Sequence, residues 1–339
     1  MKAMPSRSRL LELVDRFEKV RVLAFVDLVV DEYIYGEISD VSREAPVLIL
    51  KYDKTRKIPG GGANAINNIA ALGGRPLVVG LVGKDSAGRE LLKLLRESGV
   101  KTSTIERHPE YRTPTKTRIL AGGVHSSKQQ VVRIDRSTHV KWDRAVRSYL
   151  SQSVAELLPQ SDVVMVSDYG YGLVTPEFGQ SLSRRAAAMR KLAILDSRFD
   201  ILSYSGFASA TPNEPEVETA LGVSIGNNEE VLEWSGRQLL RRLRSPSVLI
   251  TRGSKGMALF ERRRPTEHIL VFGTDEVADV TGAGDTVIST FSLAMGAGAT
   301  YYEAALLANY TGGIVVMKRG TATVSREELA IAVSSDLKD

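Results

Sequence analysis

Residues Asp279 to Phe291, DVTGAGDTVISTF, set one carboxylate, Asp285, directly behind Thr281-Gly282-Ala283-Gly284, where an apolar helical pattern begins. Small residues let the backbone approach a ligand, and the first amides of a helix lack intrahelical partners, so they point at whatever sits there. A phosphoryl group in transfer suits such a place, because its charge spreads over oxygens that amides and the helix dipole stabilise. Asp285 in the same turn can accept the proton of an attacking hydroxyl. It can equally be an N-terminal helix charge contributing about 0.3–1 kcal/mol of dipole energy. Spacing alone favours neither.

Two further glycine segments invite nucleotide chemistry and fit it poorly. Gly60-Gly61-Gly62-Ala63-Asn64-Ala65 loosely follows GxGxxA, but KYDKTRK precedes it where a dinucleotide fold needs its first strand. GLVGKDS, Gly80 to Ser86, has Val78 where a P-loop begins with glycine and Asp85 where it needs Ser or Thr. His108, His125, His139 and His268 are scattered, with no HExxH or triad-like grouping. The absence of cysteine excludes disulfides, thiolate metal sites and cysteine nucleophiles.

The elements that must position Asp285 alternate. Leu10, Leu13, Val14 and Phe17 form a helical stripe behind Ser8, the expected cap. VRVLAFVDLVV reads as one buried strand, Ala63 to Leu72 as a helix, PLVVGLVG as a strand, and Gly88 to Ser98 as a helix ended by Gly99. The strand DVVMVSD, a helix after Thr175, the strand LAILD, a helix after Glu214 and the strand SVLIT follow, then helices from Ala283, Tyr301 and Ser325. Such alternation predicts an α/β fold: a doubly wound, mostly parallel sheet with helices on both faces and ligands at the carboxyl ends of its strands. Residues 33–58 and 113–135 hold only strand-like runs, AGGVHSS being a hairpin-turn candidate. They are expected to pair into a small sheet that covers the site as a lid.

A chain of 339 residues, 43% hydrophobic and 25% charged, can form one large domain or two small ones, and the unbroken alternation favours one. Its net charge of +5 is spread along the sequence; RRLR (241–244) and ERRRP (261–265) carry no interleaved aromatics, so they read as solvated ends of elements. No nucleic-acid partner is expected, and small phosphorylated ligands account for the basic balance equally well. No segment holds eighteen consecutive apolar residues and the N-terminus lacks a signal-peptide pattern, so a cytoplasmic protein without a membrane partner is expected.

The triple-glycine loop, TPNEPE, TRGSKG and DVTGAGD occur in the order and spacing of the ribokinase-like (PfkB) sugar kinases, and the resemblance covers essentially the whole chain. VDLVVDEYIYG, SREAPV, PGGGANAINNIAALGG, TKTR, QQVVRID, SDYGYG, DVTGAGDTVI and GTATVS resemble the heptose 7-phosphate kinases within that family. The resemblance implies ATP as co-substrate with Mg2+, Asp285 as catalytic base, and Gly282, Ala283 and Gly284 as the anion hole. It implies that Asn213 and Glu216 organise Mg2+ and the phosphates, Glu216 through water, although the pair also fits a helix capping box. Thr251, Arg252, Gly253 and Gly256 fall at ATP contacts, and Asn309 on the segment flanking adenine. Asp27, Asp31, Gly61, Gly62, Asn64 and Asp168 correspond to the sugar side. Asp279 and Thr281, with the loop around Gly320, match a monovalent-cation site, so K+ is a candidate. A homodimer through the lid is also implied, and an exposed strand edge favours it.

Departures from the heptose-phosphate pattern cluster near the expected sugar: Glu32 and Ile58 stand for Arg, Tyr171 for Lys, Ser197-Arg198 for Pro-Lys, and Val26 for Gly. Lost cations matter, since a sugar phosphate needs charged or bidentate partners; Lys116, Arg118, Arg133 and Arg198 are left to supply them. The chain ends at Asp339 without the GxFDxxHxGH pattern of a nucleotidyltransferase half, and a separate kinase is expected. The alternatives are a kinase of the same family acting on another carbohydrate or a nucleoside, and a catalytically silent sugar or nucleotide sensor.

Overall fold

A computed structural model describes residues 4–123, 128–273, 278–318 and 320–336. His125 and most of the expected hairpin turn lie outside them. Helix α1 (Arg7–Arg16) buries Leu10, Leu13 and Val14 and is capped by Ser6, whose Oγ accepts from the Arg9 amide at 3.2 Å, two residues before the expected cap.

The apolar run from Val20 to Val30 forms two strands, β1 (Arg21–Val26) and β2 (Leu28–Val41). Hydropathy does not break there because both sides are buried; the chain passes from one sheet to another at Asp27. Strand β3 (Leu48–Gly61) returns and runs directly into α2 (Gly62–Ala71). PLVVGLVG likewise divides, into β4 (Arg75–Val79) and β5 (Leu81–Gly83), at Gly80, where a Cβ would lie 2.8 Å from Leu28. Asp85 caps α3 (Ser86–Glu97), which accounts for the carboxylate in the P-loop-like segment.

There follow β6 (Glu106–His108), β7 (Thr115–Gly122), β8 (Gln129–Arg136), α4 (Arg144–Leu157), β9 (Val163–Asp168) and α5 (Pro176–Ala188), the last capped by Thr175. The chain continues through β10 (Leu192–Ser197), β11 (Ser209–Ala210), α6 (Glu214–Leu221), α7 (Glu229–Arg242), β12 (Ser247–Thr251), β13 (Met257–Glu261) and β14 (Glu267–Ile269). It closes with α8 (Ala283–Gly296), α9 (Tyr301–Val316) and α10 (Arg326–Asp336).

The main sheet is parallel, in the order β11-β10-β9-β1-β4, with an antiparallel sheet β12-β13-β14 alongside. Alternate residues of β1 feed two cores. Val22, Ala24 and Val26 pack with α1, α2 and α8, while Leu23 and Phe25 pack with α4 and α5. Burying each large apolar side chain contributes about 1.5–3 kcal/mol, so both faces are held firmly. This is the helix-covered, mostly parallel sheet that the alternation predicts.

Segments 33–58 and 113–135 lie in one four-stranded sheet, ordered β3-β2-β7-β8. It is mixed: β2 pairs antiparallel with β3 and parallel with β7, and β7 pairs antiparallel with β8. The register sets Asp31 beside Lys116, Tyr33 beside Arg118, and Arg118 beside Arg133.

Candidate active site

The start of α8 lies where the lid meets the carboxyl ends of the main strands. Gly282 has φ +83°, and a Cβ there would lie 2.6 Å from Asn64 Nδ2, so glycine is required twice over. Nothing lies within 4 Å of where a Cβ on Gly284 would be, so this turn faces open space. The Ala283 amide donates to the Val280 carbonyl at 3.2 Å. Those of Gly284 and Asp285 fall in the first helical turn, which offers them no carbonyl.

Asp285 is 4% exposed. Asn64 Nδ2 donates to its Oδ2 at 2.9 Å, and the Tyr169 hydroxyl donates to Oδ1. Among the described residues no cation pairs with it. Burial pushes its carboxyl up to about 6, against the Tyr169 and Asn64 hydrogen bonds and the Lys116 charge, which lower it. Asn64 is itself aimed: Asn68 Nδ2 donates to its Oδ1 at 3.2 Å, and Thr286 Oγ1 donates to Asn68 Oδ1 at 3.2 Å. The triple glycine makes room for this arrangement. A Cβ would lie 2.6 Å from the Asp31 carboxyl at Gly60, 2.8 Å from Val29 at Gly61, and 2.6 Å from the Asp27 carbonyl at Gly62.

The lid contributes Asp31, 3% exposed, which accepts from Arg118 Nη1 at 2.6 Å and from Thr321 Oγ1 at 3.2 Å. Glu32 points to the other face of β2, as strand alternation requires. There it accepts from Thr117 Oγ1 at 2.6 Å and pairs with Lys57 at 3.3 Å, so its unexpected charge lies outside the cleft. Ile58, opposite Asp31, adds an apolar neighbour instead.

The four cations differ. Arg118 is committed to Asp31, and Arg133 is exposed and holds Asp135 through two hydrogen bonds, at 2.9 and 3.1 Å. Lys116 and Arg198 have no carboxylate within ion-pair distance among the described residues. Lys116 Nζ lies 5.1 Å from the Tyr169 ring centre and 6.0 Å from that of Tyr171; the Arg198 guanidinium lies 5.9 Å from Tyr169 and 5.7 Å from Phe199. Burial and then the Arg198 charge lower the Lys116 ammonium.

Two residues expected at the sugar are bonded within the fold. Asp27 is 1% exposed, and its carboxylate takes the amides of Tyr169, Tyr171 and Val174 at 3.0, 3.1 and 3.4 Å. Asp168 accepts from the Gly170 amide at 2.8 Å, Ser197 Oγ at 3.0 Å and the Tyr204 hydroxyl at 2.7 Å. The Asp27 carboxylate is thus bonded wholly to the loop after β9, and Asp168 ties that loop to β10 and Tyr204. Arg252, expected at ATP, turns inward at 9% exposure to Glu214 (2.9 Å) and Glu229 (3.1 Å), tying α6 and α7 to the end of β12.

Elsewhere on the nucleotide side, Gly253 has φ +57° and open space around it, and a Cβ on Gly256 would meet the Ile269 carbonyl at 2.0 Å. The Thr251 amide donates to the Pro212 carbonyl at 3.0 Å. Asn309 Nδ2 donates to the Leu270 carbonyl at 2.8 Å, holding Leu270, 84% exposed, out to solvent.

Asn213 and Glu216 do form a capping box, at 2.8 and 2.9 Å. Glu216 is nevertheless near enough for its charge to act on Asp196, at the end of β10. Burial raises both carboxyls, and the Glu216 charge raises that of Asp196 well above its ordinary value. Glu216 lines a cavity of about 340 Å³ together with Arg198, Phe199 and Asn213, and Ser197, the neighbour of Asp196, lines it too. Among the described residues no cluster of three or more metal-ligating side chains occurs. Two such carboxylates suit Mg2+, which takes one or two of them and keeps water. Asp279 joins the two loops of the expected monovalent-cation site directly, accepting from the Thr281 amide at 2.8 Å and the Gly320 amide at 3.1 Å. Asp196 had a signal in sequence, a carboxylate at the end of the apolar strand LAILD; Tyr169 and Thr321 had none.

A family model described as pfkB family carbohydrate kinase matches residues 26–328. The bifunctional protein HldE of Paramagnetospirillum magneticum is 38% identical over 325 residues, covering 95% of this chain and 65% of that protein. HldE of Aeromonas hydrophila is 38% identical over 322 residues, 94% of this chain and 65% of its own length. The chain thus spans just under two thirds of these relatives. Arabidopsis thaliana ribokinase complexed with ribose and ATP superposes with a TM-score of 0.72 at 17% identity, covering 93% of this chain and 98% of that one. Escherichia coli phosphofructokinase-2 in complex with substrates and products gives 0.72 at 16% identity, with the same coverage. These two likenesses concern the fold alone.

Proposed function

The chain belongs to the pfkB family of carbohydrate kinases, and from that premise we propose that it transfers the γ-phosphoryl group of ATP to a hydroxyl of a phosphorylated sugar resembling a heptose 7-phosphate. In the proposed reaction the acceptor O–H gives its proton to Asp285, the acceptor oxygen forms a bond to the γ-phosphorus, and the bond to the bridging oxygen breaks to release ADP. The amides of Gly284 and Asp285 receive the negative oxygens in transit. Mg2+, when bound by Asp196 and Glu216 in part through water, supplies charge neutralisation on the phosphates. Thr251, Gly253, Gly256 and Asn309 line the nucleotide side, and Asp31, Gly61 and Gly62 the acceptor side.

The observation that carries this reading is the state of Asp285: buried, bonded by two neutral donors and, among the described residues, paired with no cation. A structural helix charge would sit in water or in an ion pair. Support for an anionic acceptor comes from the HldE relatives and from Lys116 and Arg198, the cleft cations left without carboxylates. Tyr171, an aromatic where that subfamily carries Lys, favours a second reading with a different carbohydrate or a nucleoside as acceptor.

The reading extends to a single kinase domain and, with ATP as donor, to a cytoplasmic setting; no helix among the described residues is long and apolar enough to cross a membrane. It includes K+ near Asp279 and Thr281, and a homodimer through the lid, where Val41, Val47, Leu48, Ile49 and Tyr52 are exposed.

ADP release across a panel of phosphorylated and free sugars and nucleosides tests the acceptor. A phosphorylated sugar should exceed its free counterpart in kcat/KM by at least about tenfold, the scale of one charge-assisted contact. Preference for an uncharged acceptor moves the assignment to the second reading. Saturable ATP binding without transfer to any acceptor favours a sensor.

A further inference from the structure

The loop after β9 is fixed more heavily than a surface connection needs. Asp27 takes three of its amides and Asp168 a fourth, while Ser197 and Tyr204 hold Asp168 in turn. Gly170 and Gly172, at φ +74° and +88°, let the chain curl around these carboxylates. Such an arrangement is costly, since burial and the neighbouring Asp168 push the Asp27 carboxyl up to about 7. What it fixes in space is Tyr169, whose hydroxyl reaches Asp285 and whose ring has both Lys116 and Arg198 beside it, at 5.1 and 5.9 Å from its centre.

We propose that Tyr169 is the positioning residue for the base: its hydroxyl donates to Oδ1 of Asp285, locks the rotation of the carboxylate, and keeps it ionised while one lone pair on each oxygen stays free for the acceptor. Two donors on opposite oxygens define the carboxylate plane, which Asn64 alone would leave free to turn. Burial and the negative charges around it hold the Tyr169 phenol well above its ordinary value, so it remains a donor. The inference rests on the kinase reading and adds a residue to it.

The charged groups acting on Asp285 are Asp31 and Lys116 from the lid and Asp196 from β10; Arg198 acts on Tyr169. In Tyr169→Phe all of these stay, the ring stays, and one hydrogen bond to the charged form is lost, so the Asp285 carboxyl must rise. A general base works ionised, so activity falls as pH drops through its pKa, and the acid limb of the rate profile must move to higher pH by about one unit. The first measurement needs no acceptor: carboxyl 13C NMR titration of the full chain, the Asp285 signal being identified by its loss in Asp285→Asn. An upward midpoint shift of about one unit in Tyr169→Phe is expected. With D-glycero-D-manno-heptose 7-phosphate as probe, or whichever panel acceptor is turned over, the acid limb of kcat/KM should move with it, the KM for ATP staying within about twofold.

An unmoved midpoint overturns the positioning role and leaves the kinase reading standing. A moved midpoint with an unmoved acid limb overturns both the positioning role and the assignment of Asp285 as base. Should Tyr169→Phe fail to fold, the same titration on Asn64→Ala serves: with Tyr169 in place the midpoint should stay below about 8, and a carboxyl that no longer ionises by then shows that Tyr169 does not hold the charge.

Discussion

Asp285 and Asp31 are 4% and 3% exposed in one cleft, yet one is met by an amide and a phenol and the other by a guanidinium at 2.6 Å. The same contrast runs through the two walls they belong to. On the floor, Asp27, Asp168 and Asp285 are held by backbone amides, hydroxyls and an asparagine. On the lid, Asp31 pairs with Arg118, Asp135 with Arg133 and Glu32 with Lys57. Neutral donors fix a carboxylate without cancelling its charge, and burial then raises its affinity for a proton, which a base requires. A guanidinium or ammonium instead holds a carboxylate through its charge and fixes it as an acceptor for hydroxyls. In the proposed reaction the floor serves proton transfer and the lid recognition.

Asp27→Ala should have the largest effect among tests of this division. It leaves three buried amides without their acceptor, lowering stability in urea unfolding by about 3 kcal/mol or more and abolishing turnover as the Tyr169 loop loosens. A stable variant with ordinary turnover breaks the floor side of the comparison. Arg118→Met leaves Asp31 charged, buried and unpaired, and should raise the acceptor KM about tenfold or more while kcat and the KM for ATP stay within about threefold. A fall in kcat at constant KM would instead give the lid a part in the chemistry. Arg133→Ala removes an exposed pair and should cost under about 1 kcal/mol in a thermal melt, with acceptor KM within about twofold. A tenfold rise there would make Arg133 a reader of substrate.

The floor was legible in sequence where small residues or strand ends mark it. Gly282 and Gly284 announce the helix start because no Cβ fits beside Asn64 and none fills the open side. The parallel sheet follows from alternation, since the middles of β1, β9 and β10 are unbroken apolar runs, with polar residues only at the strand ends. What sequence hid were choices made by tertiary contact. Asp27 resembles a ligand-facing charge at a strand end, and only the folded loop shows three amides closing on it. The break between β1 and β2 leaves no trace in hydropathy, both sides being buried. Tyr169 lies two residues before Tyr171 in SDYGYG, and nothing in that spacing tells which ring reaches the base. Glu32 is a departure in sequence that alternation carries out of the cleft.

Comparing Asp285→Asn with the wild type, calorimetry for ATP binding alongside rapid-quench turnover, tests the assignment of the base most directly. Asparagine keeps the shape of the side chain and cannot take the proton, so ATP affinity should hold within a few-fold while the chemical step slows by at least about 100-fold. Near-normal turnover in that variant would contradict the account, leaving Asp285 a buried helix-start residue and the proton to another acceptor.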